Sequence, residues 1–228
     1  MVQQSTYISY STVNPKILEE NRRIMVAKEI ILVLKDCLKG KNLEKMNLLD
    51  VGCSSGVITA YLAQHFASAV GIDIDRRAIS LAKKKFSNYN LKFYEMDMVQ
   101  NTFFADHFDV VICNQVYFLE KRQEAFFQQL YRVLKPNGIC YITGGNKYFN
   151  FKQEGNYPTS YLSFWELKKL CTAFIIYRYT PVILHNPSRY GFYDMAKGEV
   201  IFKRIPVVLW RFLEPVLSNF IWILQKPA

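Results

Sequence analysis

From Asn14 to Leu38 the apolar residues Ile17, Leu18, Ile24, Met25, Ile30, Ile31 and Leu34 recur at helical spacing, which predicts a helix. Asn14 before Pro15 is its start signal, and Gly40 ends the run. The period then changes. Short, nearly continuous apolar runs follow at NLLDV (47–51), SAVGIDI (68–74), LKFYEMDM (91–98), FDVVICN (108–114) and, after the turn KPNG, GICYITGGN (138–146). Between them, GVITAYLAQHF (56–66), RRAISLAKKKF (76–86) and EAFFQQLYRVL (124–134) read as helices. Strand–helix alternation predicts right-handed crossovers and a parallel sheet with helices on both faces. Strands this apolar are those covered on both sides. Beyond Asn146 the pattern alters. FWELKKLC (164–171) reads as a helix capped by Ser163, and AFIIYRYTPVIL (173–184) as a long strand. An interrupted apolar stretch, VIFKRIPVVLWRFLEPVL (200–217), precedes a last strand, NFIWILQK (219–226), stopped by Pro227.

Composition narrows this picture only slightly. A chain of 228 residues, half hydrophobic and 15% aromatic, can bury a large core as one domain. The net charge of +10 favours an anionic partner, or simply a solvated basic surface. Lysines and arginines are scattered, with small groups at Lys83–Lys85 and Lys203–Arg204. No arginine-rich block or aromatic–basic repeat is present, which weakens a nucleic-acid reading. Cys37, Cys53, Cys113, Cys140 and Cys171 are odd in number and widely spaced, without a CxxC pair, so no metal site is expected. Cys113 and Cys140 lie in strand-like runs as small buried apolar residues, which suits a reducing cytosol. The segment MVQQSTYISY lacks the basic-then-apolar pattern of a signal peptide, and the expected location is cytoplasmic.

Candidate chemistry collects where the strands end, since open parallel sheets bind ligands outside their carboxyl edge. After the first strand come Asp50, Gly52, Ser54 and Gly56. Asp73 follows the second strand, Asp97 and Met98 the third, and Asn114 and Gln115 the fourth. Asp73 lies about twenty residues beyond the glycine turn, where an acid can accept both hydroxyls of a ribose. Asp97 can accept from an adenine amino group, and Met98 offers apolar packing. The spacing Gly52, Ser54, Gly56 lacks the three-residue step to a third glycine found in dinucleotide folds.

The series LLDVGCSSGVIT, GIDID, FYEMDM, FDVVICNQVYFL and LYRVLKPNGICYIT resembles the ordered motifs of class I S-adenosylmethionine-dependent methyltransferases. The nearest subgroup is the type 11 set acting on small molecules and glycans. The resemblance covers about residues 48–143, and more loosely YTPVILHNPSRYGF and the closing FIWILQKP. It implies a Rossmann-like, seven-stranded, mostly parallel α/β sheet with helices on both faces. Its C-terminal strand, NFIWILQK, would be antiparallel, inserted next to the fifth and paired with AFIIYRYTPVIL. Residues 1–228 would form a single methyltransferase domain. It would comprise a helical cap (1–40), a cofactor-binding core (41–145), and an acceptor-side lid with the C-terminal hairpin (146–228).

Carried over residue by residue, the resemblance implies that Val51, Gly52, Cys53 and Ser54, with Gly56, face the methionine part of S-adenosylmethionine. Asp73 would hold the ribose, with Ile74 under the adenine, and Asp97 and Met98 would contact that ring. Asn114, with Gln115 beside it, would reach the amino-acid end, and Asp50 would order the glycine turn. The products would be S-adenosylhomocysteine and a methylated acceptor, with no metal involved. Two departures stand out: Ser54 holds the middle position of the glycine motif, and Phe118–Leu119 stand where the subgroup usually carries Glu-His.

A hydroxyl acceptor needs a base near the methyl group. Of the three histidines, His65 and His107 read as structural or surface residues, and His185 is the candidate base. Tyr117, Tyr148 and Tyr157, with Phe149, are candidate walls of an acceptor pocket. CNQVY differs from the Asn/Asp-Pro-Pro-Tyr/Phe motif of base-modifying enzymes, which further disfavours nucleic acid. The 205–224 region is interrupted by Arg211, Glu214 and two prolines, which disfavours a spanning helix. It reads either as a helix packed over the acceptor site or as an interfacial patch giving peripheral membrane contact. The expected activity is methyl transfer to a small-molecule, glycan or secondary-metabolite acceptor, at oxygen. An RNA methyltransferase and a catalytically silent cofactor- or partner-binding fold are the alternatives. Oligomeric state is not legible in the sequence.

Overall fold

A computed structural model describes residues 20–147, 160–183 and 217–228. Seven strands form one sheet in the order β3-β2-β1-β4-β5-β7-β6. They are β1 (Asn47–Val51), β2 (Ser68–Asp73), β3 (Leu91–Glu95), β4 (Phe108–Asn114), β5 (Leu134–Gly145), β6 (Ile175–Ile183) and β7 (Leu217–Gln225). The first five are parallel to one another, while β7 runs antiparallel to both β5 and β6. The expected terminal hairpin is therefore present, with the last strand wedged beside the fifth. The described helices are α1 (Glu20–Cys37), α2 (Val57–Ala63), α3 (Arg76–Lys85), α4 (Gln123–Val133) and α5 (Phe164–Leu170).

Strand residues divide by parity between two cores, as a period of two requires. Leu48, Val110, Ile112, Ile139, Tyr141, Ile221 and Ile223 meet Ile30, Ile31 and Leu34 of α1 and Leu62 of α2. Leu49, Val111, Cys113, Cys140, Ile142, Phe220 and Trp222 meet Phe126, Phe127 and Leu130 of α4 and Phe164 and Leu167 of α5. Both faces are thus covered, which explains the unbroken apolar runs. The five cysteines are free, and all but Cys37 are buried.

Element ends differ from the pattern for local reasons. β3 stops at Glu95, because Asp97 caps a 3₁₀ turn (Met98–Gln100) by accepting from the Val99 amide at 2.8 Å. β5 begins at Leu134, which pairs with Phe108 before a register shift. The intervening turn is fastened to the chain after β7, with Asn137 N donating to Lys226 O at 3.0 Å and Lys226 N to Gly138 O at 3.0 Å. α5 carries a full capping box, Ser163 and Glu166 each accepting from the other's backbone amide. The expected start of α1 at Asn14–Pro15 lies outside the described residues.

Within α1 the buried stripe is Arg23, Ala27, Ile30, Ile31 and Leu34, whereas Met25 is half exposed. A charged residue therefore occupies an inward position that the apolar pattern assigned to its neighbours.

Tyr117 belongs to the core. Its ring is fully buried against Phe118, Phe127 and Phe220, and its hydroxyl donates to Gly145 O at 2.8 Å. The expectation that it walls an acceptor pocket is corrected accordingly: the ring fills the space beside Gly144, where a Cβ would lie 2.0 Å from Tyr117 Cε1. Gly144→Ala is therefore expected to lose about 1–3 kcal/mol through overpacking. Urea denaturation of the two proteins measures it, and an unchanged midpoint would contradict this packing.

Candidate functional site

The sheet order reverses direction between β1 and β4, and a crevice opens at such a switch point. Strand registers bring the polar ends level there. Val51 pairs with Ile72 on one side and Cys113 on the other, and Asp73 pairs with Glu95. Gly52 and Asp97, just past β1 and β3, and Asp73 and Asn114, the last residues of β2 and β4, thus share one edge.

The glycine turn is pinned by its backbone. Gly52 N and Cys53 N both donate to Ile72 O, at 2.8 and 3.0 Å, and Gly56 N donates to Cys53 O at 3.0 Å. Gly52 has φ 74°, and a Cβ there would lie 2.3 Å from Val116 Cγ2. Only glycine satisfies both constraints. The turn therefore touches the loop that follows β4. Ser54 also takes a left-handed conformation, φ 51°, and its amide donates to Asp73 Oδ2 at 2.8 Å. Asp73 Oδ1 accepts from Asp75 N at 2.9 Å. Both carboxylate oxygens are fixed by backbone donors, and each keeps a further lone pair for a ligand. Burial raises the Asp73 pKa, with the Asp75 and Ser54 amides opposing it. Ile74, next along, is 48% exposed, a large aliphatic surface beside a fixed acid.

The side chains of Val51 and Cys53 are buried, so these two positions can face a ligand only through their backbone. Met98 is likewise buried in the core beside α4, which confines its contribution to the strand end to its backbone. Asp97 is oriented by the Val99 amide and by Arg122, whose Nη2 donates to Asp97 Oδ2 at 2.7 Å. Asn114 Oδ1 accepts from Thr143 Oγ1 at 2.7 Å. Gln115, at φ 61°, donates its amide to Thr143 O and Oγ1, both at 3.1 Å. Thr143 thus locks the ends of β4 and β5 together.

Asp50 is buried beneath the turn and accepts from Thr59 Oγ1 at 2.6 Å, which ties β1 to α2. Arg23, only 8% exposed, reaches down from α1 to donate from Nη1 to Ser55 Oγ at 3.2 Å and from Nη2 to Ser54 Oγ at 3.3 Å. Burial lowers its pKa, opposed by Asp50, Cys53 and Asp73. The sequence reading missed Arg23 and Thr143. The signal for Arg23 was a charge one turn before Ala27 on an apolar stripe; Thr143 ends an apolar strand and gave none.

His65 follows α2 and packs near Tyr61, and His107 precedes β4 and is exposed. Both lie at the opposite edge of the sheet from the crevice. Tyr148, Phe149, Tyr157 and His185 lie outside the described residues, as does the 205–216 part of the region read as an interfacial patch. Its remainder includes Phe220–Leu224, which are buried inside β7. Among the described residues, no helix is long and apolar enough to cross a membrane.

The strand order, the fixed acid at the end of β2 and the turn after β1 place a candidate ligand site at the carboxyl edge of an α/β sheet. Residues 49–142 match the family model described as a methyltransferase domain. The ubiquinone biosynthesis O-methyltransferase of Rattus norvegicus is 37% identical over 117 residues, 47% of this chain and 33% of that protein. Its counterpart in Pelagibacter ubique is 31% identical over 127 residues, 55% and 53% of the two chains. A putative methyltransferase of Bacillus subtilis is 34% identical over 101 residues, 42% and 41%. The chain thus spans between a third and about half the length of these curated relatives. A SAM-dependent methyltransferase structure from Methanosarcina mazei superposes with TM-score 0.62 at 18% identity, covering 86% of this chain and 97% of that one. The [4+2]-cyclase SpnF has TM-score 0.66 at 17% identity, covering 90% and 81%. Residues 49–142 thus carry a methyltransferase domain, on the fold of S-adenosylmethionine-dependent methyltransferases. That a cyclase shares the fold leaves the chemistry to the site.

Burial pushes the Asp50 carboxyl up to about 7, against 3.8 for an unperturbed group, so the folded state prefers its protonated form. The wild type is therefore expected to lose stability relative to Asp50→Asn as pH rises from 3.8 to about 7. Urea midpoints of both proteins at about pH 5 and about pH 8 check this, the gap widening in favour of the variant at the higher pH. A gap independent of pH would contradict it.

Proposed function

We propose that the chain transfers the methyl group of S-adenosylmethionine to a hydroxyl of a small molecule. The observation that carries this reading is the Ser54 N–Asp73 hydrogen bond, which joins the glycine turn to the acid after β2 and leaves lone pairs open beside exposed Ile74. The donor set fits a nucleoside: acids at two neighbouring strand ends, an aliphatic surface between them, and a close-approach glycine. The names of the ubiquinone O-methyltransferase relatives support oxygen as the acceptor atom and a small-molecule acceptor. A glycan or secondary metabolite belongs to the same acceptor class.

S-adenosylmethionine supplies an electrophilic methyl on a sulfonium leaving group. Everything else falls to the chain. Asp73 would accept from the ribose hydroxyls, and Ile74 would offer its exposed aliphatic surface to the base. Asp97 would accept from the exocyclic amino group. The backbone of Gly52–Ser54, with Asn114 and Gln115, would hold the amino-acid arm. Arg23 brings a positive charge to the turn and offsets Asp50 and Asp73 there. Such a site works by orienting a displacement and excluding water. The acceptor proton needs a base, and His185 is proposed for that role.

Calorimetry with S-adenosylhomocysteine tests the donor half: the wild type is expected to bind, and Asp73→Asn to weaken binding at least about tenfold, roughly 1.4 kcal/mol. Incubation with methyl-labelled S-adenosylmethionine and pooled phenolic acceptors or RNA tests the other half. Label is expected in the small-molecule fraction; label in RNA would overturn the acceptor class.

A further inference from the structure

We infer that Arg122, braced by Glu120, is a positioning residue that aims the Asp97 carboxylate at the 6-amino group of the cofactor's purine. This rests on the cofactor reading above and adds the source of base specificity.

Arg122 is the cap residue of α4 and lies just beyond the loop that follows β4. Its partner Asp97 follows β3. In the sheet β3 and β4 are separated by β2 and β1, a span of roughly 14 Å at ordinary strand spacing. The ion pair therefore joins the residue that follows β3 to the start of α4, the helix that also packs on the Met98–Gln100 turn. In the cofactor reading Asp97 is the acid that meets the base.

The guanidinium is held before it reaches Asp97. Nε donates to Glu120 Oε1 at 2.9 Å and Nη2 to Glu120 Oε2 at 3.0 Å, a planar fork on one carboxylate. The Arg122 amide adds a bond to Glu120 Oε1 at 2.7 Å. Nη2 is then directed to Asp97 Oδ2 at 2.7 Å, while Asp97 Oδ1 accepts from Val99 N at 2.8 Å. With a donor on each oxygen, the carboxylate plane cannot rotate, and one lone pair per oxygen remains. The Asp97 side chain keeps 27% of its surface, so those lone pairs have an open side. As a stability element the pair counts for little, since the Arg122 side chain is 46% exposed. Its distinctive effect is directional.

A fixed carboxylate accepts from an amino group and repels a carbonyl oxygen in the same place. A site built to hydrogen-bond one group rejects the analogue that cannot supply the bond. Adenine presents N–H at its 6-position, and hypoxanthine presents C=O. Without Arg122 the carboxylate is held at one oxygen only, and that distinction is lost.

Calorimetry compares S-adenosylhomocysteine with its deaminated form, S-inosylhomocysteine, on wild type, Arg122→Lys, Arg122→Gln and Glu120→Gln. The wild type is expected to prefer the adenine ligand by at least about tenfold. Arg122→Gln is expected to lose most of that preference by weakening the adenine ligand, with the inosine ligand within about twofold of wild type. Arg122→Lys, which keeps the charge but loses the fork, is expected to retain part of the preference. Should Arg122→Gln fail to fold, Glu120→Gln, which releases the brace and keeps the pair, is expected to lower the ratio. An unchanged ratio in the folded variants, or an equal loss for both ligands, would overturn the positioning role. So would a wild type that binds both ligands alike. A wild type that binds neither removes the cofactor site itself, and this role with it.

Discussion

Two successive amides, Gly52 N and Cys53 N, converge on a single carbonyl, Ile72 O. That convergence bends the chain out of β1 and sends it into α2 while keeping it against β2. Everything at the carboxyl edge follows from it. Ser54 is turned so that its amide meets Asp73, and Gly52 is brought under Val116 of the β4 loop. The acid that ends β2 is thereby aimed from two sides, by the turn after β1 and by the Asp75 amide of its own segment. A ligand that packs on the turn meets a carboxylate whose direction is already set, so little ordering remains to be done on binding.

The same turn concentrates charge in a dry place. Asp50 and Asp73 both lie against it, and burial favours the neutral form of each. Arg23 arrives from α1 to answer them. This makes α1 part of the site and not only a cover for the sheet, because its first described turn touches both serines of the glycine motif. The substitution of Ser54 in the middle of that motif acquires a physical reason: its hydroxyl receives a guanidinium that a glycine could not engage.

Much of the fold was legible because strand burial on two faces leaves an unmistakable run of apolar residues. β1, β2 and β4 ended within a residue of where the pattern placed them, and the terminal hairpin followed from the family resemblance. Site positions were legible in proportion to how local their geometry is. Asp73 and Asp97 sit at strand ends that periodicity marks. Arg23, Thr143 and Arg122 act on residues 25 to 32 positions away, and no local pattern encodes such a meeting. Tyr117 misled because an aromatic after a strand end looks alike in a pocket and in a core. Its fate was decided by Gly144, which lies 27 residues on and leaves room for the ring.

β7 lies between β5 and β6, although it follows β6 in the chain by more than thirty residues. The order of synthesis and the order of pairing therefore disagree. When β6 has been made it has no strand to join, and β5 presents a bare edge, with Gly145 waiting for Asn219. An unpaired edge of this kind invites other chains. The nascent protein must carry it until the last strand arrives, so the window of vulnerability to aggregation is set by how fast the intervening segment is made, not by the stability of the finished sheet.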